Sequence, residues 1–432
     1  MAAETSSRPV RAFWMLWSGQ AVSLLGTQAV QLALVWWITE RTRSASLLAA
    51  STFLALAPQI LFGPLIGALV DRWDRKKVMM IADGSAALAS AALAALFAAG
   101  APSVPGVLLA LLARGVAGAF HAPAMQASTT LMVPPELFTR IQGVNQALQG
   151  TSIIVSAPLG ALLYATLPMS GVLAVDVATA LLAIAPLLFL DVPSPASVSR
   201  SAAGALTSLF AEVTSGVRYL GHRREHLYLL ALACALNLLL VPAFALLPLW
   251  VEEQGGTIGQ LGWIQSASGI GTIAGGLALG VWGGFSQKIR TTALGIVLLG
   301  AAVLSMSALG PLGGIVVMAV VGVAGPFANG PIQAMLQVTI PPEMQGRIFS
   351  LYGSLAGAMT PLGLLLAAPV AEVAGVAIWY VAGGALCLAV GAVMLARPDL
   401  LDIERAGKEV LEDTPWDRQH GAGSAPHVPD SF

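Results

Sequence analysis

Apolar residues run through this chain in twelve long blocks separated by short polar stretches. The blocks cover about 12–38, 46–70, 78–99, 104–126, 141–166, 170–190, 227–251, 260–283, 290–310, 313–338, 347–371 and 374–396. A helix needs about 20 mostly apolar residues to cross a bilayer, so each block predicts one crossing. The fold class expected is an all-α polytopic membrane protein: twelve transmembrane helices in two six-helix bundles related by pseudo-two-fold symmetry. The longest polar stretch, 191–226, divides the helices six and six. It opens with Pro193, Pro195 and a Ser-rich segment. Leu206, Leu209, Val213, Val217 and Leu220 then recur at helical spacing beside Arg218, Arg223 and Arg224, which predicts an amphipathic helix lying on the inner leaflet. The organisation expected is a cytoplasmic N-terminus 1–11, a bundle 12–190, a central loop 191–226, a second bundle 227–397 and a polar tail 398–432. That tail reads as a short helix followed by disorder.

Charge settles the orientation to expect. The chain is 56% hydrophobic and 10% charged, against about 25% charged in soluble proteins. Of its 21 Lys and Arg, eighteen fall in the N-terminus, the even-numbered loops and the tail. Arg41 and Arg43 fall on the other side, and Arg114 lies inside a block. The positive-inside rule then places both termini in the cytoplasm of a multi-pass protein of the plasma membrane. A missed or surplus helix would scramble this segregation. The net charge of −1 gives no reason to expect a nucleic-acid partner. Cys234 and Cys387 lie within apolar blocks without metal-ligand company, so neither a disulfide framework nor a metal is expected. No short apolar region with a small-residue cleavage site precedes the first block, so no cleaved signal peptide is expected. Trp36, Trp37, Trp250, Trp263, Trp379 and Tyr380 fall near outer helix ends, where an aromatic belt would lie.

The chain repeats itself. Val133-Pro134-Pro135-Glu136-Leu137 with Arg140-Ile141 returns as Ile340-Pro341-Pro342-Glu343-Met344 with Arg347-Ile348, 207 residues later, and Gln126 and Gln333 keep the same offset. Pro ends one helix, Glu suits the start of the next, and Arg suits the cytoplasmic surface. Two related halves in parallel are an arrangement of transporters, with substrate held between them near mid-membrane.

A charge at the bilayer centre costs about 2.5–3.5 kcal/mol on insertion scales, so each one is a functional candidate. Arg114 lies near the middle of the fourth block, on one helical face with Gly118 and His121. It reads either as a working group or as a clamp on neighbouring carbonyls. Asp176 lies deep in the sixth block, where burial would raise its pKa. It is preferred over Asp83 as a proton carrier, because Asp83 lies close enough to the cytoplasm to serve as a structural support. His121 reads as a structural histidine. Polar stripes suggest a central cavity: Gln20, Thr27 and Gln31 share a face of the first helix, Asn237 lies near Phe244 on the seventh, and Asn329, Gln333 and Gln337 follow one another on the tenth. Hydrogen bonds between helices would use the same residue types.

Residues 67–77 read GALVDRWDRKK between the second and third blocks. Gly67 suggests close backbone approach, Asp71 and Arg75 are spaced to pair, and Arg72, Arg75, Lys76 and Lys77 hold the turn in the cytoplasm. The segment resembles the loop motif after the second helix of the major facilitator superfamily, G-x-L-a-D-R-x-G-R-K. Gly67, Leu69, Asp71, Arg72, Arg75 and Lys76 match it, and Asp74 replaces the usual Gly. Its counterpart, Gly280 to Arg290, keeps glycines, Lys288 and Arg290 but no acid. Arg114 and Gly118 resemble the R-x-x-x-G motif of proton-coupled members, in which the Arg is thought to influence proton movement. Ser156-Ala157-Pro158-Leu159-Gly160-Ala161 resembles a worn G-P-x-x-G-G antiporter motif. With Gln20 to Gly26, Thr42 to Ser46, Phe120-His121-Ala122-Pro123 and Val175-Asp176, the chain over about 10–397 is similar to the macrolide-efflux-type branch of drug/proton antiporters.

The resemblance implies a monomeric secondary transporter, not an enzyme, without cofactor. Its partners would be a small-molecule substrate, the proton gradient and the lipid bilayer. The first, fourth, seventh and tenth helices would line the path. Arg114, Asp176 and Asp83 would serve proton coupling. Gly67, Asp71, Arg72, Arg75, Lys76, Glu136, Arg140, Glu343 and Arg347 would form a cytoplasmic gate in which Asp71 faces the start of the eleventh helix. The chain has no Gly-rich nucleotide loop with Lys and Ser/Thr, which points to an ion gradient as the energy source. Export of an amphiphilic, drug-like or macrolide-like molecule is the leading expectation. Export of a self-made siderophore or secondary metabolite, or proton-coupled uptake, are the alternatives.

Overall fold

The computed structural model describes residues 2–70, 72–134, 137–190, 224–340 and 342–396. The helices are α1 (Ala2–Thr42), α2 (Ala45–Val70), α3 (Arg75–Ala98), α4 (Val104–Met132), α5 (Phe138–Thr166) and α6 (Met169–Phe189), then α7 (Arg224–Ala245), α8 (Leu247–Glu253), α9 (Ile258–Trp282), α10 (Lys288–Ser305), α11 (Pro311–Thr339), α12 (Pro342–Ala374) and α13 (Ala377–Ala396). Among the described residues, twelve helices are long and apolar enough to cross a membrane. Their outward surfaces carry large apolar side chains such as Ile81, Leu88, Leu109, Val281 and Val373, all largely exposed, as lipid contact requires. The central loop and the tail expected from sequence lie outside the described residues.

Two departures from the expected blocks have local causes. The seventh run breaks at Leu246, and the short α8 restarts with Pro248 in its first turn, where a missing N–H costs nothing. The ninth run ends in a 3-10 turn at Met306–Ala308. Helices α4, α5, α11 and α12 also extend past the apolar blocks on the side carrying both ends of the helical domain, called here the terminal face. The bounds of α4 and α11 differ by the repeat offset at both ends.

Helices α1–α6 form one bundle and α7–α13 the other. The second helix of each half packs against the fifth of the other, α2 on α12 and α9 on α5, which is the reciprocity a pseudo-two-fold axis demands. Glycines set the close crossings. A Cβ at Gly160 would lie 2.4 Å from the Ala29 carbonyl oxygen, and one at Gly271 would lie 2.1 Å from that of Ala319. Small residues let helix backbones meet where lipid offers no hydrophobic drive. Gly160 belongs to the worn Pro-Gly motif, and Ala157 and Ala161 of that motif back onto Gly262 of α9.

The halves are joined at the face opposite the terminal face. Trp36, Leu48, Ala49, Ala157 and Ala161 share one buried cluster with Leu247, Trp250 and Tyr380. Arg43 and Glu252 form an ion pair at 2.6 Å, and Ser46 donates a hydrogen bond to Glu372. This joint corrects the aromatic-belt expectation. Of these residues Trp263 faces outward, whereas Trp36, Trp250, Trp379 and Tyr380 are buried because closing this face packs the helix ends on one another, and Trp37 is buried inside the first bundle against Phe97.

The 67–77 turn is corrected at Gly67, where a Cβ would meet no atom within 4 Å; no close approach needs the glycine. Asp74 caps α3, its carboxylate accepting the Lys77 N–H at 3.2 Å. That fits an Asp where the loop motif has Gly, since Asp is a favoured cap. Arg75 is buried and donates to the Ala127 carbonyl of α4 at 2.8 Å, tying the turn to α4. Arg72 is exposed and Lys76 half-buried. Asp71 lies outside the described residues, so its pairing with Arg75 is not described.

Candidate functional site

A cavity of about 560 Å³ opens within the first bundle. Its lining runs from Thr27 and Arg114 at mid-helix to Thr129, Ile141 and Gln142 near the terminal face. The walls come from α1, α3, α4 and α5, and neither α7 nor α11 contributes. Trp17, Leu24, Met125 and Leu148 give it an apolar body, and Gln20, Gln126, Gln142, Asn145 and Gln149 supply amides. Asn145 accepts the Trp17 indole N–H at 2.8 Å. Gln126, Gln142 and Gln149 are exposed at the wide end.

The inner wall holds a buried ion pair. Arg114 of α4 meets Asp176 of α6 through Nη1, with side chains 6% and 3% exposed. Ser90 of α3 joins both: it donates to Asp176 at 2.6 Å and lies 2.7 Å from Arg114 Nη1 as acceptor. Thr27 of α1 donates to Asp176 at 3.2 Å and offers its carbonyl to Arg114 Nη2 at 3.2 Å. Four helices therefore meet in one polar knot. Local packing explains the register. A Cβ at Gly26 would lie 2.5 Å from Thr179 Oγ1, and one at Gly115 would lie 2.6 Å from the Ala55 carbonyl. Glycine at those two points draws α1 onto α6 and α4 onto α2, which brings Thr27 and Arg114 within reach of Asp176. Arg114 Nε is buried without a hydrogen bond.

A second polar group lies nearer the terminal face. Asp83 Oδ2 accepts from Gln20 Nε2 at 2.9 Å. Asp83 Oδ1 faces His121 Nε2 at 3.5 Å, and that nitrogen makes no hydrogen bond. The contact is charge to charge, too long for a proton bridge. Both residues and Gly118 line the cavity, and Gly118 leaves open space where a Cβ would stand.

The other sequence candidates lie elsewhere. Gln31 is half-buried on α1, beyond the cavity lining. Asn237 bonds the Ala233 carbonyl and Asn329 the Gly325 carbonyl, each on its own helix. Phe244 packs against the buried cluster of the second half. Gln333 and Arg140 are exposed. Glu136 lies outside the described residues, as do the side chains of Glu343 and Arg347. Ser90, Asn145, Gln142 and Gln149 escaped sequence reasoning. Ser90 stands seven residues from Asp83, and Gln142, Asn145 and Gln149 follow at three and seven, so each had a face-sharing signal. Among the described residues no group of three or more His, Cys, Asp or Glu gathers as a metal site.

Two six-helix bundles of membrane-spanning length, with a cavity among the helices of the first, define the class: a polytopic membrane protein with the architecture of a transporter. The family model for the Major Facilitator Superfamily matches residues 16–364, and the chain belongs to that superfamily. It is 33% identical over 399 residues to macrolide efflux protein A of Streptococcus pyogenes, covering 91% of this chain and 98% of that one. It is 29% identical to the multidrug efflux pump Tap of Mycolicibacterium fortuitum, covering 87% and 93%. Among solved structures it superposes on the nucleoside transporter NupG with a TM-score of 0.64 at 13% identity, covering 89% and 98%. It superposes on a bacterial homologue of the lysosomal transporter Spinster, inward-facing and unoccupied, with a TM-score of 0.62 at 12% identity, covering 94% and 99%. Those two likenesses speak for the fold alone.

Proposed function

We propose that this protein exports an amphiphilic small molecule from the cytoplasm in exchange for protons, by alternating access. The observation that carries the reading is the cavity: about 560 Å³, within the 300–1,000 Å³ usual for a drug-sized ligand, apolar with five amides, and open on the terminal face while the opposite face is joined. Eighteen of 21 Lys and Arg argue that the terminal face is cytoplasmic. In that orientation the cavity loads from inside, as an exporter must. Relatives named for macrolide and multidrug efflux support the direction.

The cycle follows from which contacts must break. Arg43–Glu252, Ser46–Glu372 and the shared apolar cluster hold the outer side shut. Turning outward exchanges them for a cytoplasmic seal, in which the 67–77 turn and the two Pro-Pro-Glu turns take part. Asp71 is suited to the start of α12, where the positive helix end and, a turn further on, Arg347 would attract it. Arg114, Asp176 and Asp83 are the proton-coupling groups. The protein works as a monomer in the plasma membrane. Charged metabolites fit the cavity poorly, since its one cation is already paired, which disfavours uptake of an acid.

The test is efflux from inside-out vesicles or loaded cells, with a panel of macrolides, lipophilic cations and siderophores, with and without a proton gradient. Gradient-dependent movement lost in Arg114→Ala supports proton-driven export. Movement that ignores the gradient removes the coupling, and inward movement reverses the direction.

A further inference from the structure

We propose that the Tyr380 hydroxyl, buried without a hydrogen bond behind the outer joint, is a built-in penalty on the closed outer face and sets how readily that face opens. The inference rests on the alternating-access reading above and needs neither the proton nor the identity of the substrate.

Tyr380 stands in the first turn of α13 and is 1% exposed. Its hydroxyl is buried and, among the described residues, has no hydrogen-bond partner. A buried hydroxyl left unpaired loses the bonds it would make to water and gains none in return. The hydroxyls of Ser152, Ser156 and Thr292 are also buried without partners. Those ride on short side chains inside α-helices, where a turn about one bond reaches the carbonyl one helical turn back. Tyrosine has no such remedy, because its hydroxyl stands at the far end of a rigid ring, out of reach of its own helix. Nor does the side chain hold a second polar atom. Arg114 differs there: its Nε is unpaired while its other nitrogens are bonded.

The ring and the hydroxyl act in opposite directions. The ring meets Trp250 of α8 edge to face, with centroids 6.0 Å apart and planes at 67°, a favourable arrangement for two aromatics. Two residues after Trp250, Glu252 pairs with Arg43 of the first half. Tyr380 and Trp250 also share their buried cluster with Trp36 and Leu48 of the first half. The ring therefore belongs to the packing that closes the outer face, while the hydroxyl is dehydrated by it. When the halves part on this side, Trp36 and Leu48 withdraw and α8 loses its hold on Arg43. Water then reaches the α8 side of Tyr380, and the hydroxyl regains a partner. Its cost falls on the closed state alone, so it tilts the equilibrium toward opening. A joint without that cost would hold more tightly, and a transporter has to break this joint once in every cycle.

The experiment follows opening of the outer face with a single thiol in the full-length protein. Cys234 and Cys387 are replaced by Ala, and Ala49, 3% exposed within the joint, becomes the reporter through Ala49→Cys. A membrane-impermeant maleimide added outside intact cells then reaches position 49 only when the outer face opens. Tyr380→Phe keeps the ring and removes the hydroxyl. It should slow labelling by about fivefold or more, the low end of what an unpaired buried hydroxyl costs. In detergent the same variant should melt at or above the temperature of its Tyr380 parent. Tyr380→Leu, which removes the ring as well, should label faster than Tyr380→Phe. The inference is overturned if Tyr380→Phe labels as fast as its parent or faster. It is equally overturned if that variant melts lower or fails to accumulate, because the hydroxyl would then be bonded in the closed state. Tyr380→Leu labelling no faster than Tyr380→Phe would deny the ring its part in the joint and count against it too. A reporter that is never labelled while transport proceeds strikes the alternating-access reading, and this inference with it. Labelling that accompanies transport but ignores Tyr380→Phe strikes this inference alone.

Discussion

Removing both members of the Arg114–Asp176 pair should cost clearly less than the sum of removing each alone. The two side chains are 6% and 3% exposed, so water screens little of their interaction. At an ordinary charge-assisted separation of about 2.8 Å and an effective dielectric of about 20, their attraction is about 6 kcal/mol. Desolvation offsets much of that while the pair is intact. In Asp176→Leu, Arg114 keeps only Ser90 Oγ and the Thr27 carbonyl, neither of them an anion. A lone charge then remains at membrane depth, at about 2.5–3.5 kcal/mol, and breaking a buried pair costs about 3–5 kcal/mol. Arg114→Leu strands Asp176 in the same way, with only Ser90 and Thr27 as donors. The double variant strands no charge and should recover at least about 2 kcal/mol of the sum of the two losses. The assay is a double-mutant cycle by denaturant unfolding in detergent, with Asp176→Asn as the milder variant should Asp176→Leu fail to accumulate. Additive losses would refute the pairing as an energetic unit. Transport should be lost in all three, because stability can be restored without restoring the charge.

Gly160→Val should separate α1 from α5 and abolish accumulation, because its Cβ would meet the Ala29 carbonyl at 2.4 Å, whereas Gly118→Ala, with open space, should accumulate normally; membrane yield by immunoblot distinguishes them. Arg43 sits at φ 48°, a left-handed conformation glycine accepts freely. Arg43→Gly should therefore leave thermal stability within about 1 kcal/mol of wild type, since Arg43 is largely exposed and surface pairs contribute little. It should still weaken the outer seal, read as broader spin-label distances between Ser46 and Glu372 positions; an unchanged distribution would deny the pair a gating role. Asp71→Asn should lower transport several-fold at equal expression, and full activity in that variant would remove Asp71 from the cytoplasmic gate.

Much of this architecture was legible in the chain because its determinants are local. The length and apolarity of each run fix a crossing helix, since no other open structure satisfies its backbone in lipid. The loop cations and the Pro-Pro-Glu repeat make two matched halves readable without any contact being known. The break at Leu246 was less visible, because Pro248 lies inside an unbroken apolar run whose hydropathy hides it.

The site is different in kind. Sequence could single out Arg114, Asp176 and Asp83, because a charge in an apolar run announces itself. It could not pair them, since partners lie 62 residues apart for Arg114 and Asp176 and are chosen by how α4 and α6 pack on α3. Asp176, preferred from sequence as proton carrier, sits in a knot of four helices, while Asp83 and His121 face the cavity. The cavity is walled by α1, α3, α4 and α5, so the first and fourth helices of the expected path line it beside two that the sequence did not single out. The aromatic residues expected at the lipid interface turned inward for the same reason. Periodicity along a helix says which residues share a face, and only the packing of the two halves decides what that face meets.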